Sequence, residues 1–525
     1  MEPICAIKDI YKILYQFEKN FSEVHAITIN EAMLLCCLKD NEAKSAGMIC
    51  DYIGLSNSRV SKVITSVENK GFIRRNINKE DKRQMFFSLT PKGKEKIQQM
   101  MQAELNMDSL FNQLKENLFL PKYCLLANMY NTNKKQNIMK YLIIGGVAGG
   151  ATVAARLRRM DEKAEIILFE RGKYVSYANC GLPYYIGDTI NDRNKLFVQT
   201  VKGFTDRFRI DIRTEQEATR ILPESKQVEV KKLGTGETYT ETYDKLVLSP
   251  GAEPLRPRIE GIESKKIFTL RNVPDTDTIK NYVNTEKPRT AVVVGGGFIG
   301  LEMAENLHEL GVHVTVVEMA NQVMAPLDYS MAAIVHQQLI GKQVGLMLED
   351  GVSRFEETSR GVTVHLKRGK QIPADMVLLS IGVRPETRLA KEAGLTIGAL
   401  GGIAVNEYMQ TSNPDIYALG DAVEVRHLVT GKPALIPLAG PANKQGRIVA
   451  DNIVSGNKET YDGTMGTSIA KVFDLTVATA GANAKLLKRE GIAYQSSYTH
   501  GASHAGYYPG AVPLSIKILF APEDG

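Results

Sequence analysis

Tryptophan is absent from the 525 residues, and no apolar run reaches the 18 or so that a membrane helix needs. The opening Met1-Glu2-Pro3-Ile4-Cys5 has no basic stretch followed by an apolar one, so no secretory signal is expected. Histidine is scarce, with eight in all, and none falls in an HExxH spacing or beside a cysteine. Five of the six cysteines, Cys5, Cys36, Cys37, Cys50 and Cys124, lie in the first quarter, and no pair is spaced CxxC. Adjacent Cys36 and Cys37 suit an apolar helix better than a metal. These absences exclude a disulfide-stapled secreted domain, a membrane protein and a structural zinc site. The expected compartment is the reducing cytoplasm. With 43% hydrophobic and 24% charged residues the chain is ordinary for a globular protein, and its length predicts three or four domains.

Charge is unevenly spread. Between residues 56 and 96 eleven Lys or Arg face four acids, a net +7 against +6 for the whole chain. Such a patch in one small domain is an electrostatic footprint for nucleic acid, although most charge runs are solvated helix faces. The local pattern favours the first reading. Residues 43–53 read as a short helix, 54–56 as a turn, and 58–69 as a second helix capped by Ser56 or Asn57. Val60, Val63, Ile64 and Val67 share one face of it, leaving Ser58, Arg59, Ser61, Lys62 and Thr65 for the other. A strand from Phe72 to Arg75, a charged tip over 76–82 and a return strand over 85–89 follow, and Thr90-Pro91 opens another helix. Residues 5–115 thus resemble the MarR family of winged-helix repressors, on Asp81-Lys82-Arg83 in the wing and Leu89-Thr90-Pro91-Lys92-Gly93 after it. The resemblance implies a homodimer on double-stranded DNA, with Arg83 in the minor groove and Ser58, Arg59 and Lys62 facing the major groove. A polar tract ending near Asn137 reads as a linker, and a free-standing enzyme would start at Met139.

Tyr141 to Ile144 is a short apolar strand, followed by Gly145-Gly146-Val147-Ala148-Gly149-Gly150, a helix over 151–160 and a strand over 164–169 that ends at Glu170. The unit places a pyrophosphate on the helix N-terminus and an acid on a ribose, although Val147 holds the middle glycine position. Far downstream a strand over 416–419 ends in Gly420-Asp421, whose carboxylate suits a polyol. A second unit is a full GxGxxG: strand 291–294, Gly295-Gly296-Gly297-Phe298-Ile299-Gly300, a helix over 301–310 and strand 313–317, ending at Glu318. Glu318, with Met319-Ala320-Asn321-Gln322 after it, leans toward NADH over NADPH. One dinucleotide fold nested in another implies a hydride relay, with a flavin as intermediary.

Cys180 follows the first unit, in Ser-Tyr-Ala-Asn-Cys-Gly-Leu-Pro-Tyr-Tyr. A helix terminus or a flavin there would favour its thiolate. No resolving cysteine follows, so turnover passes through Cys180 and an external sulfur or oxygen partner. From Met139 on, the chain is similar to the single-cysteine branch of the flavoprotein pyridine nucleotide-disulfide oxidoreductases, and within it to the coenzyme A-disulfide reductases. The resemblance rests on Gly-Gly-Val-Ala-Gly-Gly, the cysteine segment, Gly-Gly-Gly-Phe-Ile-Gly-Leu-Glu and Ala-Leu-Gly-Asp-Ala in that order. It implies FAD at Gly145, Gly150, Glu170 and Asp421, with Val147, Ala148 and Arg171 also assigned to the cofactor. NADH or NADPH falls at Gly295, Gly297, Gly300 and Glu318. Cys180 is the implied redox centre, with Asn179 before it, and coenzyme A is substrate and product. Tyr507 or Tyr508 is the implied proton donor to the leaving thiolate, reaching the partner subunit of a homodimer. Arg156 and Arg159 are candidates for the phosphates. Related NADH oxidases and peroxidases carry a histidine in the first glycine loop where this chain has Ala148, which argues against oxygen chemistry.

The expected fold class is multidomain: a winged helix-turn-helix over 1–115, a helix and linker over 116–138, then two nested α/β Rossmann-like domains. The FAD domain takes 139–287 and 371–458 and the NAD(P)H domain 288–370. A partial α+β dimerisation domain, 459–525, ends as if a hairpin were cut short. Metals and membranes are not expected. Two alternatives stay open: a redox-sensing transcription regulator, and a water-forming NADH oxidase.

Overall fold

The computed structural model describes residues 15–40, 42–55, 57–77, 85–102, 138–523 and 525. The chain divides into two compact units, Met1–Asn137 and Ile138–Gly525.

In the first unit the helices Ile29–Cys37, Ala46–Ile53 and Asn57–Asn69 surround a core that includes Leu34, Leu35, Ile49, Val60 and Val67. Three antiparallel strands, Lys44–Ser45, Met85–Leu89 and Ile73–Ile77, lie in that order beside them. The first predicted helix starts three residues late because Ser45 caps it, accepting the Met48 N–H, while Lys44 and Ser45 pair with Phe87 and Phe86. Gly54 turns the chain in the left-handed region at φ 75°. The wing strand runs on through Asn76 and Ile77, which sequence assigned to the tip; Asn76 Nδ2 donates to Ser88 Oγ at 3.0 Å across the ladder. The rest of the tip, with Arg83, lies outside the described residues. Thr90 accepts the Gly93 N–H at 3.1 Å and opens the helix Pro91–Gln102 as expected.

The second unit holds two five-stranded parallel sheets. The first has the order Ile416–Ala418, Lys245–Leu248, Lys140–Ile144, Glu165–Glu170, Asp211–Thr214. Leu142, Ile143, Ile167, Leu168, Leu246 and Val247 are fully buried, as parallel strands covered on both faces must be. The second sheet has the order Ile267–Phe268, Met376–Leu379, Thr290–Val294, His313–Val317, Gly345–Met347. It therefore draws strands from outside the 288–370 range read from sequence. Each sheet has its own core. The C-terminal part contributes the pair Ser468–Val472 and Leu475–Thr479, then a long hairpin, Gln495–Ala502 with Pro513–Phe520. A 2.7 Å ion pair from Lys517 to Asp328, both largely buried, ties that hairpin down. Among the described residues no helix is long and apolar enough to cross a membrane, and no cluster of three or more His, Cys, Asp or Glu is placed to hold a metal ion.

Candidate active site

The first glycine loop begins at Gly145, whose φ of 98° favours glycine. A Cβ on Gly150 would lie 1.9 Å from the Gly145 carbonyl oxygen, so helix and strand approach more closely than any side chain permits. The helix accordingly starts at Ala148, three residues earlier than its composition suggested, with Gly149 and Gly150 inside its first turn. Val147 supplies no side-chain cap and the first turn holds no acid, leaving the terminal N–H groups for an outside acceptor. Glu170, at its strand end, is fixed by two backbone donors: Gly146 N–H at 2.8 Å and Gly172 N–H at 2.7 Å. Asp421 sits in the short turn Gly420–Ala422 just past the strand Ile416–Ala418. No donor among the described residues bonds its carboxylate; burial pushes its pKa up and Arg271 opposes the shift. An uncapped helix terminus, an anchored acid and an unpartnered one together fit the pyrophosphate, ribose and polyol chain of FAD.

The second loop repeats the design. Gly295 has φ 108°, a Cβ on Gly300 would meet the Gly295 carbonyl at 2.0 Å, and Gly297 precedes an uncapped helix, Phe298–Glu309, with open space where its Cβ would be. Glu318 takes the Gly296 and Ala320 N–H groups, each at 2.8 Å. One cavity of about 1410 Å³ touches both loops. That exceeds the roughly 300–1,000 Å³ of a site for one drug-sized ligand. Gly145, Val147, Ala148, Glu170, Arg171, Asn179, Cys180, Asp421 and Gly297 line it, and Gly150, Gly295, Gly300 and Glu318 stand back from it. Arg171 lies 3.7–3.9 Å from each of Glu217, Glu253 and Glu386.

Cys180 lies in the single turn Asn179–Gly181 that leads into the helix Leu182–Ile186. Its side chain is exposed to the cavity. The sequence argued for a thiolate favoured by a helix terminus or a flavin; the surrounding protein atoms taken alone act the other way. Burial, and then the charge of Glu302, push the thiol pKa up. A five-residue helix has too little dipole to reverse this. Glu302 was not singled out from sequence. It lines the cavity from the second-loop helix and accepts a 3.3 Å hydrogen bond from the Tyr184 hydroxyl. Burial, reinforced by Glu305, pushes its pKa up to about 7 against the Tyr184 bond. Its only signal in the sequence is an acid in an apolar helix, two residues after the last glycine.

The cationic candidates divide. Arg156 is engaged by Asp451 through two bonds of 2.8 and 3.0 Å. Arg159 and Arg207 rest on the Phe208 ring at 5.5 and 5.2 Å, and both line the cavity with Arg447. Tyr507 and Tyr508 lie in the hairpin turn, 92% and 67% exposed, outside this cavity. In the first unit Arg59 and Lys62 project from the exposed face of Asn57–Asn69. The Ser58 side chain lies outside the described residues.

Comparison with known proteins places these features. The family described as pyridine nucleotide-disulphide oxidoreductase matches residues 139–446, and the MarR family matches 27–85. A coenzyme A disulfide reductase of Staphylococcus epidermidis is 35% identical over 385 residues, covering 73% of this chain and 86% of its own. The crystal structure of reduced Bacillus anthracis CoADR-RHD is 56% identical with a TM-score of 0.72, covering 74% of this chain and 69% of that one. An NAD-dependent persulfide reductase from A. fulgidus is 39% identical with a TM-score of 0.71, covering 73% and 71%.

Proposed function

The chain belongs to the pyridine nucleotide-disulphide oxidoreductase family and carries a MarR winged-helix unit ahead of that domain, and from this we propose that it reduces coenzyme A disulfide, or the related persulfide, at Cys180. The observation that carries the reading is the position of Cys180 in a cavity that both glycine loops reach. FAD, when bound there, supplies a two-electron carrier between nicotinamide and sulfur.

The chain's own residues do the rest. The Cys180 thiolate attacks one sulfur of the disulfide, forming a mixed disulfide and releasing one coenzyme A thiolate. An electron pair delivered to the Cys180 Sγ then breaks that bond and frees the second thiolate. The sum is one NAD(P)H, one proton and one disulfide giving NAD(P)⁺ and two thiols. Gly145, Gly150, Glu170, Arg171 and Asp421, with Val147 and Ala148, hold FAD; Gly295, Gly297, Gly300 and Glu318 hold the nicotinamide dinucleotide. Arg159, Arg207 and Arg447, which have no ion-pair partner among the described residues, meet the negative phosphates; Arg156 is already committed to Asp451. Asn179 positions the cysteine turn, and Tyr507 or Tyr508 of a homodimer's other subunit protonates the leaving thiolate. Arg59 and Lys62 of the first unit, with Ser58 and Arg83, bind DNA.

The test is an NADH consumption panel under argon with coenzyme A disulfide, coenzyme A persulfide and polysulfide, and a separate arm in air with oxygen alone. Turnover with the first two substrates supports the proposal. Turnover with oxygen alone supports a water-forming oxidase.

A further inference from the structure

An aspartate just before a helix ordinarily turns its carboxylate back onto the first N–H groups of that helix. Asp328 precedes the helix Tyr329–Gly341 and makes no such bond. Its two oxygens point to the C-terminal part of the chain instead: Oδ1 accepts the Ala484 N–H at 2.9 Å, and Oδ2 pairs with Lys517 Nζ at 2.7 Å. Two more side chains from that part reach the residues before Asp328. Lys485 Nζ donates to Gln322 Oε1 at 3.0 Å and to the Ala325 carbonyl at 2.9 Å, and Asn483 Nδ2 donates to the Pro326 carbonyl at 3.0 Å. Residues 322–328 are thus gripped along their length from outside the dinucleotide fold.

The gripped segment supports the second glycine loop. The Met324 N–H donates to the Gly296 carbonyl at 2.8 Å. Val323 packs so closely that a Cβ on Gly296 would lie 2.7 Å from its Cγ1. Glu318 takes the Gly296 N–H on the other side at 2.8 Å. Both peptides of Gly296 are therefore pinned, one by the acid and one by the segment, and Gly296 lies between Gly295 and Gly297 of the turn that opens the helix Phe298–Glu309. We propose that Lys485 and Lys517 are positioning residues for the NAD(P)H site, setting dinucleotide affinity through residues 322–328 and Gly296. Neither lysine lines the cavity, so each acts through the segment it holds. A loop already held in its bound shape has less ordering to do when the ligand arrives. Removing Lys517 leaves the Asp328 carboxylate largely buried without its cation, free to turn back onto its own helix and draw the segment with it. Removing Lys485 releases Gln322 and Ala325, on either side of the Val323 and Met324 contacts.

This inference rests on the reading of the second glycine loop as the dinucleotide site, and its test needs no sulfur substrate. The FAD-loaded full-length protein is mixed with NADH under argon, and flavin reduction is followed by visible absorbance. Lys485→Met and Lys517→Met each raise the half-saturating NADH concentration by roughly fivefold or more, while the limiting rate and the FAD content hold. Lys517→Arg, which keeps a cation beside Asp328, stays with wild type. If Lys517→Met does not fold, Lys485→Met decides alone, because that side chain lies at the surface. An unchanged half-saturating concentration overturns the inference. So does a fall in limiting rate or FAD content with half-saturation unmoved, which would make the lysines general supports of the fold. A wild-type flavin that NADH does not reduce would overturn the dinucleotide reading, and the inference with it.

Discussion

A carboxyl whose folded-state pKa is raised costs stability wherever it must ionise, and Glu302 is raised from its ordinary 4.5 to about 7. The cost is absent below the unfolded value near 4.5, grows as pH rises through the interval, and is complete above about 7. Glu302→Gln removes it. We expect this variant to melt roughly 2–4 °C above wild type at pH 8 and within error of it at pH 5, by differential scanning fluorimetry; an equal gap at both pH values would mean that packing, not charge, set it. The sequence hid Glu302 for a physical reason. An acid in a helix is normally read as its solvent face, and here Leu301, Met303 and Ala304 around it are buried, so the exposed side is the cavity. Cys180 was legible as the single cysteine beyond residue 125. The push that the surrounding protein exerts on the thiol was not, since it comes from burial in the folded chain and then from Glu302, 122 positions away.

Both glycine loops show how close approach overrides propensity. Glycine disfavours a helix interior by about 1 kcal/mol, so the sequence pattern placed the helix starts after Gly150 and Gly300. Backbone contact places them inside, at Ala148 and Phe298. Gly150→Ala forces a methyl to within 1.9 Å of the Gly145 carbonyl oxygen. We expect the strand and helix to separate, at a cost of roughly 1–3 kcal/mol, and the purified variant to lose flavin absorbance while the second loop still binds NADH by fluorescence quenching. A yellow variant of normal melting temperature would show that the loop tolerates the spacing. The strands and the acids that end them were readable from alternation of apolar runs with glycine. Their partners were not, because Ile416–Ala418 pairs with Lys245–Leu248 and Met376–Leu379 with Thr290–Val294 across long stretches of chain.

At the scale of the whole molecule two surfaces remain to be assigned. Leu514, Ile516 and Ile518 alternate along one face of the terminal hairpin at 43%, 42% and 56% exposure. An uncovered apolar strand face of this kind marks an interface. We expect Ile516→Asp with Ile518→Asp to convert the proposed homodimer to a monomer in multi-angle light scattering; a wild-type monomer, or a mass unchanged by the substitutions, would take this face out of any dimer contact. In the first unit, Arg59→Ala with Lys62→Ala should weaken DNA binding by at least tenfold and flatten its salt dependence by about two counter-ions, leaving NADH turnover unchanged. Equal affinity of wild type and variant would remove that helix from the interface. The two units were separable in sequence because the basic patch ends before the polar tract and the first glycine unit begins after it.

The most direct measurement is a single-turnover reaction of NADH-reduced protein with coenzyme A disulfide under argon, followed by flavin reoxidation and by thiol release, in wild type and in Cys180→Ser. We expect wild type to release two thiols per NADH consumed, and the serine variant to stay yellow, accept electrons from NADH and release none. Thiol release by the serine variant at even a tenth of the wild-type rate would contradict a disulfide reductase acting through Cys180.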